Sequence, residues 1–334
     1  MSKTIGLSPL KDFVKYVLYS GFIQNVQRPI SALIVAEPER GKSTEAQKWE
    51  GLGVMTIQDM TSYGIDRQIQ GMSGRDLKIF HHIVIPDLEK IGSRNRVVRD
   101  ELLSKFRILM DEGLQHVSTG RDWLHLDEPV RLGILMCTTP DDLGDKRSVF
   151  RTLSFQSRII PFTYDFSDEL KFRILHFIES EEHNKRQSFT FKREEKAKVT
   201  LPKKYAKRLT PYAISLAREL EKFSRKSQIR KTEEGRLLGI RTKENLMAFL
   251  KSIALYKGSG TVQREDFEEF RRLYRWMNYK FRNIDNVRAI RPLRIGRRPP
   301  VNRSRKYNVL NWKKPLKRLN KKTPTPLKNY KGGF

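Results

Sequence analysis

At 334 residues with 38% hydrophobic side chains, the chain is long enough for one large or two modest domains, and its single cysteine, Cys137, excludes an internal disulfide framework. The longest apolar runs, such as Ile30 to Ala36, fall far short of the ~20 residues that cross a bilayer, so no membrane span is expected. The net charge of +29 sits in one half: residues 1–180 hold 24 Lys+Arg and 24 Asp+Glu, whereas residues 181–334 hold 43 and 14.

The first expected element is a helix from Pro9 to Ile23, where Leu10, Phe13, Val14, Val17 and Leu18 recur at helical spacing before Gly21. Ser31 to Ala36 is a short unbroken apolar run, the pattern of a strand covered on both faces. Val54 to Ile57, Ile79 to Ile85 and Arg131 to Cys137 are further strand candidates, and Val98 to Met110 reads as an amphipathic helix between the last two. Strands alternating with helices predict an α/β fold with a parallel, helix-covered sheet. Gly113 to Ser118 and Trp123 to Leu126 flank a polar Thr119-Gly120-Arg121-Asp122, which predicts a β-hairpin with its tip at Gly120.

Beyond Pro161 the strand signals fade. Helices are expected over Asp168 to Glu181, Pro211 to Ser224, Lys243 to Tyr256 and Arg264 to Tyr279, with Glu182 to Thr210 as a polar, basic linker. From Asn286 onward there are 16 Lys or Arg and no acidic residue, interrupted by prolines and by Tyr307, Trp312, Tyr330 and Phe334. That composition predicts a basic tail, disordered alone, that binds nucleic acid by phosphate contact and base stacking through residues such as Arg297, Arg298, Lys313 and Lys314. The expected organisation is a helical segment 1–28, an α/β core 29–165, a helical domain 166–285 and the tail 286–334.

The chemistry starts at Ala36-Glu37-Pro38-Glu39-Arg40-Gly41-Lys42-Ser43, followed by Thr44, which matches the phosphate-binding loop when alanine is allowed first. Backbone N–H groups after such a loop point at phosphates, Gly41 permits close backbone approach, Lys42 neutralises β/γ-phosphates, and Ser43 can ligate magnesium. The expected cofactors are therefore ATP and Mg2+. A magnesium nucleotide also needs a carboxylate for the metal and another to polarise water. Ile83-Val84-Ile85-Pro86-Asp87-Leu88-Glu89 supplies both, with Asp87 and Ser43 as the metal candidates and Glu89 acting on water.

From Ser31 to about Leu273 the order of motifs resembles the AAA+ ATPase module of minichromosome maintenance (MCM) helicases. Lys90-Ile91 follows the acids, then come the helix, the hairpin Asp111 to Asp127, and Gly133-Ile134-Leu135-Met136-Cys137-Thr138-Thr139-Pro140. These are similar to the family's Walker B motif, hairpin and sensor 1 strand, with Thr139 at the sensor. Leu153 to Pro161 is similar to the segment whose arginine reaches a neighbouring subunit's nucleotide, which makes Arg158 the candidate arginine finger. Ile240-Arg241-Thr242-Lys243-Glu244-Asn245-Leu246 resembles the start of the lid helix, with Arg241 as sensor 2 arginine and Lys243 behind it.

The resemblance implies a helical lid after the core, a homo-oligomer of six subunits by analogy, and a DNA-acting motor, helicase or loader of the replication type. Arg121 at the hairpin tip would then touch phosphates in a central channel. With no secretory signal at the start, the expected location is inside a cell, cytoplasmic and nucleoid-associated, or the product of a virus or mobile element. Two other readings fit the same residues: a nucleotide-dependent nucleic-acid-binding scaffold with weak or no hydrolysis, and an ATPase acting on RNA or ribonucleoprotein.

The pattern also departs from the family. The register that aligns Lys90 puts Pro86 at the family's aspartate and Asp87 at its glutamate, so either Asp87 holds the metal and Glu89 acts on water, or hydrolysis is impaired. Glu39 replaces a loop glycine, and Thr139 replaces the usual asparagine. The family's N-terminal DNA-binding domain has no counterpart in the roughly thirty residues before the loop, so the chain reads as a relative rather than an MCM helicase proper. His81 with His82, and His116 facing His125, lack a third well-spaced ligand and read as packing or surface residues.

Overall fold

A computed structural model describes residues 4–285 apart from positions 52, 60, 73, 93–94, 119–122, 145–152, 181–184, 186, 192–194 and 226–238. Residues 1–290 form one compact unit; residues 291–334 fall in another, outside the described residues, together with the expected tail contacts Arg297, Arg298, Lys313 and Lys314.

The chain opens with α1 (Ser8–Tyr19), carrying Pro9 in its first turn where a missing N–H is harmless, and a 3-10 turn over Ser20–Phe22. β1 (Ser31–Val35) leads through the loop into α2 (Lys42–Ala46). Then follow β2 (Trp49–Glu50), β3 (Val54–Thr56), α3 (Ser62–Gln70), α4 (Gly74–Ile79), β4 (His82–Ile85), α5 (Glu89–Gly92) and α6 (Arg96–Met110). The hairpin β5 (Leu114–Ser118) and β6 (Trp123–Val130) precedes β7 (Gly133–Thr138), α7 (Pro140–Gly144), α8 (Leu153–Gln156) and β8 (Ile159–Asp165). α9 (Asp168–Ile178), β9 (Phe189–Thr190), α10 (Lys203–Arg225), α11 (Ile240–Tyr256), α12 (Arg264–Tyr274) and β10 (Arg282–Asn283) complete the described chain.

The main sheet has six strands in the order β10-β8-β1-β7-β4-β3, all parallel. β1 is interior, paired on one side with β7 (Ala32 opposite Leu135) and on the other with β8 (Ser31 opposite Ile159). Its alternation explains the unbroken apolar run. Ala32, Ile34 and Ala36 enter one core together with Leu135, Cys137, Ile160 and Phe162, while Leu33 and Val35 enter the other with Ile83, Ile85, Ile134 and Met136. α1, α10, α11 and α12 contribute to the first core and α3 and α6 to the second. Among the described residues no helix is long and apolar enough to cross a membrane.

β8 is a strand that sequence patterning overlooks, because Pro161 lies in its middle. The proline is tolerated because its nitrogen faces away from β1. Thr163, two residues on and so on the same side, sends its N–H to the Trp276 carbonyl at 2.9 Å, and β10 pairs only Tyr164 and Asp165. No ladder donor is lost at Pro161.

The range 182–210, expected as a linker, also contains a strand and the start of a helix. Phe189 and Thr190 pair with Trp49 and Glu50, and the Trp49 ring packs against Phe189 and Phe191 with centroids 5.3 and 5.2 Å apart. These aromatics stand among charged residues, so no apolar run announces them. α10 starts at Lys203, not Pro211. Tyr205, Leu209, Ala213, Leu216 and Leu220 form one buried stripe through the proline, and that burial outweighs the ~3 kcal/mol an interior proline costs. Ile79 is likewise helical, ending α4, and β4 starts only at His82.

Candidate nucleotide site and the two edges of the sheet

In parallel sheets ligands bind outside the carboxyl ends of the strands, and the loop after β1 lies there. Ala36 is buried and donates its N–H to the Thr138 carbonyl at 3.4 Å; Glu37, Pro38 and Glu39 are exposed. Gly41 has φ +76°, the left-handed conformation glycine adopts without penalty. Glu39 has φ +63°, the only left-handed non-glycine residue among those described. Glu39 thus stands where the backbone needs positive φ, and glutamate holds that geometry at a cost of about 1–2 kcal/mol. Arg40 is braced by Asp165 at 3.1 Å, by the Tyr164 hydroxyl on its carbonyl at 2.8 Å, and by the Phe166 ring.

Ser43 donates its hydroxyl to the Pro86 carbonyl at 2.6 Å, which joins the loop directly to the end of β4. Asp87 follows at once. One of its oxygens accepts the Glu89 N–H at 3.1 Å, so Asp87 caps α5, while Glu89 itself is exposed. The Lys42 ammonium donates to the Glu37 carbonyl at 3.2 Å. Burial pulls its pKa down, and the fields of Asp87, Asp142 and Glu37 pull it back up. Thr44 is half-buried in α2. That helix is fixed from below by a buried ion pair, Lys48 with Glu45 at 2.6 Å, to which Gln187 adds a contact at 3.3 Å.

Thr139 sits at the end of β7 on the same edge. Its hydroxyl donates to Asp142 at 2.5 Å and accepts the Asp142 N–H at 3.2 Å. Asp142 is a carboxylate that motif reading passes over, although Thr139-x-x-Asp142 has the spacing of a helix-capping pair. The carboxyl edge therefore gathers Lys42, Ser43, Asp87, Thr139 and Asp142. Its oxygen donors, the Ser43 hydroxyl and the Asp87 carboxylate, suit a hard cation such as Mg2+.

Arg158 and Arg241 lie elsewhere. Arg158 immediately precedes β8, whose first residue, Ile159, is opposite Ser31, so it stands at the amino edge, about 16 Å of strand from the loop. There the Asp111 carboxylate receives three guanidinium groups. Arg28 bonds one oxygen, and Arg158 and Arg241 both bond the other at 2.8 Å. Glu244 takes the far side of Arg28 at 3.2 Å, and Asn245 donates to the Arg158 carbonyl at 3.3 Å. Asp111, Arg28 and Arg158 have side chains only 12, 8 and 13% exposed; Arg241 is 42% exposed. Burial and the neighbouring Arg241 lower the Arg158 pKa, against the pull of Asp111. Neither arginine reaches this chain's own loop. Sequence reasoning did not find Arg28 or Asp111, because no local spacing links residues 28, 111, 158 and 241.

The hairpin has the expected strands, with Ser118 opposite Trp123; its tip, including Arg121, lies outside the described residues. His116 and His125 face each other across it with Nδ1 atoms 2.9 Å apart. His81 and His82 are buried, with Nδ1 atoms 2.6 Å apart, and His82 Nε2 bonds the Ile30 carbonyl at 3.1 Å. Burial pushes both pKa values down, that of His82 to about 3. Among the described residues no cluster of three or more His, Cys, Asp or Glu is placed to hold a metal. No family model matches the chain, and a comparison with curated proteins finds no match.

Proposed function

We propose that this chain is a magnesium-dependent ATPase of the AAA+ type, similar to the ATPase module of MCM helicases, acting as an oligomer on nucleic acid, DNA before RNA. The observation that carries the reading is the junction at the carboxyl edge. A loop with a left-handed glycine delivers Lys42 and Ser43 beside the end of β4, where Ser43 bonds Pro86 and Asp87 follows. Mg2+ held by Ser43 and Asp87 would supply charge neutralisation for the β/γ-phosphates. Lys42 supplies a further cation, Glu89 is the group available to orient water, and Thr139 faces the same edge from β7. In this reading α10, α11 and α12 are the lid.

The oligomer follows from where the arginines are. Arg158 and Arg241 are about 16 Å from their own loop, so they serve a phosphate only when a second copy presents its carboxyl edge to them. Phe172, Leu175 and Ile178 leave an exposed apolar stripe on α9, of the kind association covers. The basic residues beyond 285 supply the nucleic-acid affinity.

Two observations favour a second reading, a nucleotide-dependent scaffold with little hydrolysis. The Thr139 hydroxyl is engaged by Asp142, and in the register that aligns Lys90 with the family, buried Pro86 would stand at the metal-binding aspartate. Phosphate release from ATP, measured with and without Mg2+, single-stranded DNA, duplex DNA and RNA, separates these. The ATPase reading expects magnesium-dependent turnover raised by DNA. Tight nucleotide binding without turnover in any condition would establish the scaffold instead, and stimulation by RNA alone would move the target to RNA.

A further inference from the structure

We propose that Asp111 is the positioning residue of the amino edge: its carboxylate fixes Arg158 and Arg241 side by side and ties them to the base of the β5–β6 hairpin. The inference rests on the reading that Arg158 acts on a neighbour's nucleotide. It goes beyond that reading by assigning a role to a residue that the motifs mark only as the start of the hairpin segment.

The geometry supports three links. First, the carboxylate is shared. Arg158 and Arg241 bond the same oxygen at 2.8 Å, and Arg28 bonds the other. Three guanidinium groups against Asp111 and the more exposed Glu244 leave one positive charge in excess at a half-buried place, so the arginines repel one another wherever Asp111 does not hold them. Second, Asp111 is itself held at the backbone. Its N–H bonds the Ile108 carbonyl at 3.2 Å, and Arg131 Nε bonds the carbonyls of Asp111 and Glu112, each at 3.2 Å. Third, both strands of the hairpin leave from this point. β5 starts at Leu114, opposite Val130 of β6, and the Leu132 N–H returns to the Leu109 carbonyl at 2.9 Å.

A displacement of the hairpin base therefore carries the carboxylate with it, and the two arginines follow their shared partner. A polymer bound at the hairpin and a phosphate bound by the arginines are joined through one side chain. When phosphate arrives, its oxygens compete with Asp111 for the same guanidinium N–H groups, which frees the carboxylate and loosens the hairpin base. The coupling runs in both directions, as linkage requires.

The test is complementation among Lys42→Ala, Arg158→Ala and Asp111→Asn proteins, each full length, with ATP turnover as readout and nucleotide affinity as control. Asp111→Asn should bind nucleotide within about threefold of wild type, because its own loop is at the other edge, yet turn over at least about tenfold more slowly. Mixing it with Lys42→Ala protein should restore part of the turnover, since the Lys42→Ala subunit presents intact arginines to an intact loop. Mixing it with Arg158→Ala should restore none, because both lack a working arginine edge. Restoration by Arg158→Ala, or wild-type turnover of Asp111→Asn alone, overturns the assignment. If Asp111→Asn does not fold, the double variant Asp111→Asn with Arg28→Gln lowers the uncompensated charge and takes the same test with the same expectations. The trans reading fails separately: a mixture of Lys42→Ala and Arg158→Ala with no restored turnover sinks it whatever Asp111 does, and absent wild-type turnover sinks both.

Discussion

The carboxyl and amino edges of the parallel sheet are built on opposite plans. At the carboxyl edge an exposed loop leaves Glu37, Pro38 and Glu39 in solvent, Glu89 at the start of α5 is exposed as well, and Lys42 donates to a backbone carbonyl rather than to a carboxylate. At the amino edge the charges are half-buried and already paired, with Asp111 between Arg28, Arg158 and Arg241. The first plan suits a surface that waits for an anion and a cation from solution. The second suits a preassembled set of cations that gives up one internal carboxylate when a phosphate competes for it. In the proposed function each chain then carries two halves of different sites, and a complete site would need two copies.

The amino edge should be the part acid breaks first, and this is the largest effect expected. His81 and His82 are buried beside Ile30 with pKa values pushed down by desolvation, that of His82 to about 3. Folded, both are neutral; unfolded, each takes up a proton below the ordinary histidine value near 6.5. The stability they contribute is therefore complete above about pH 6.5 and declines as pH falls toward the folded value, at about 1.4 kcal/mol per unit for His82. Going from pH 7.5 to 5.5 should cost about 1.4 kcal/mol from His82, with His81 adding in the same direction, read from urea midpoints at the two values. A flat profile over that window would mean that the pair is protonated or solvated in the fold.

The carboxyl edge should respond to a smaller change. Glu39→Gly removes a left-handed glutamate, and after the added freedom of the unfolded glycine the net gain should be about 0.5–1 kcal/mol, with nucleotide affinity kept. Thermal unfolding of the variant checks this. A loss of stability would show that the Glu39 side chain, rather than only its backbone, holds the loop.

The two edges also differ in how far the sequence foretells them. The loop, the acids after β4 and Thr139 after β7 each occupy a short stretch bounded by an apolar strand, so spacing alone locates them. The amino edge draws Arg28, Asp111, Arg158 and Arg241 from four separated places, and only the pairing of β1 with β8 and the approach of α11 bring them together. Prolines misled in the same way: Pro161 hides a strand whose outward nitrogen needs no partner, and Pro211 imitates a helix start inside a helix two turns longer. β1, β4 and β7 were legible because both of their faces are covered. The aromatic contacts of Phe189 and Phe191 were not, since the flanking charges mask them.

The central claim is that the carboxyl edge binds a nucleotide through Lys42, and the most direct test is ATP affinity of wild type and Lys42→Ala in the presence of Mg2+. The account predicts measurable binding by the wild-type chain and at least about a tenfold loss in the variant, as expected for a charge-assisted contact, with the circular dichroism spectrum and urea midpoint unchanged. Equal affinity in the two proteins, or no binding by wild type, would contradict it.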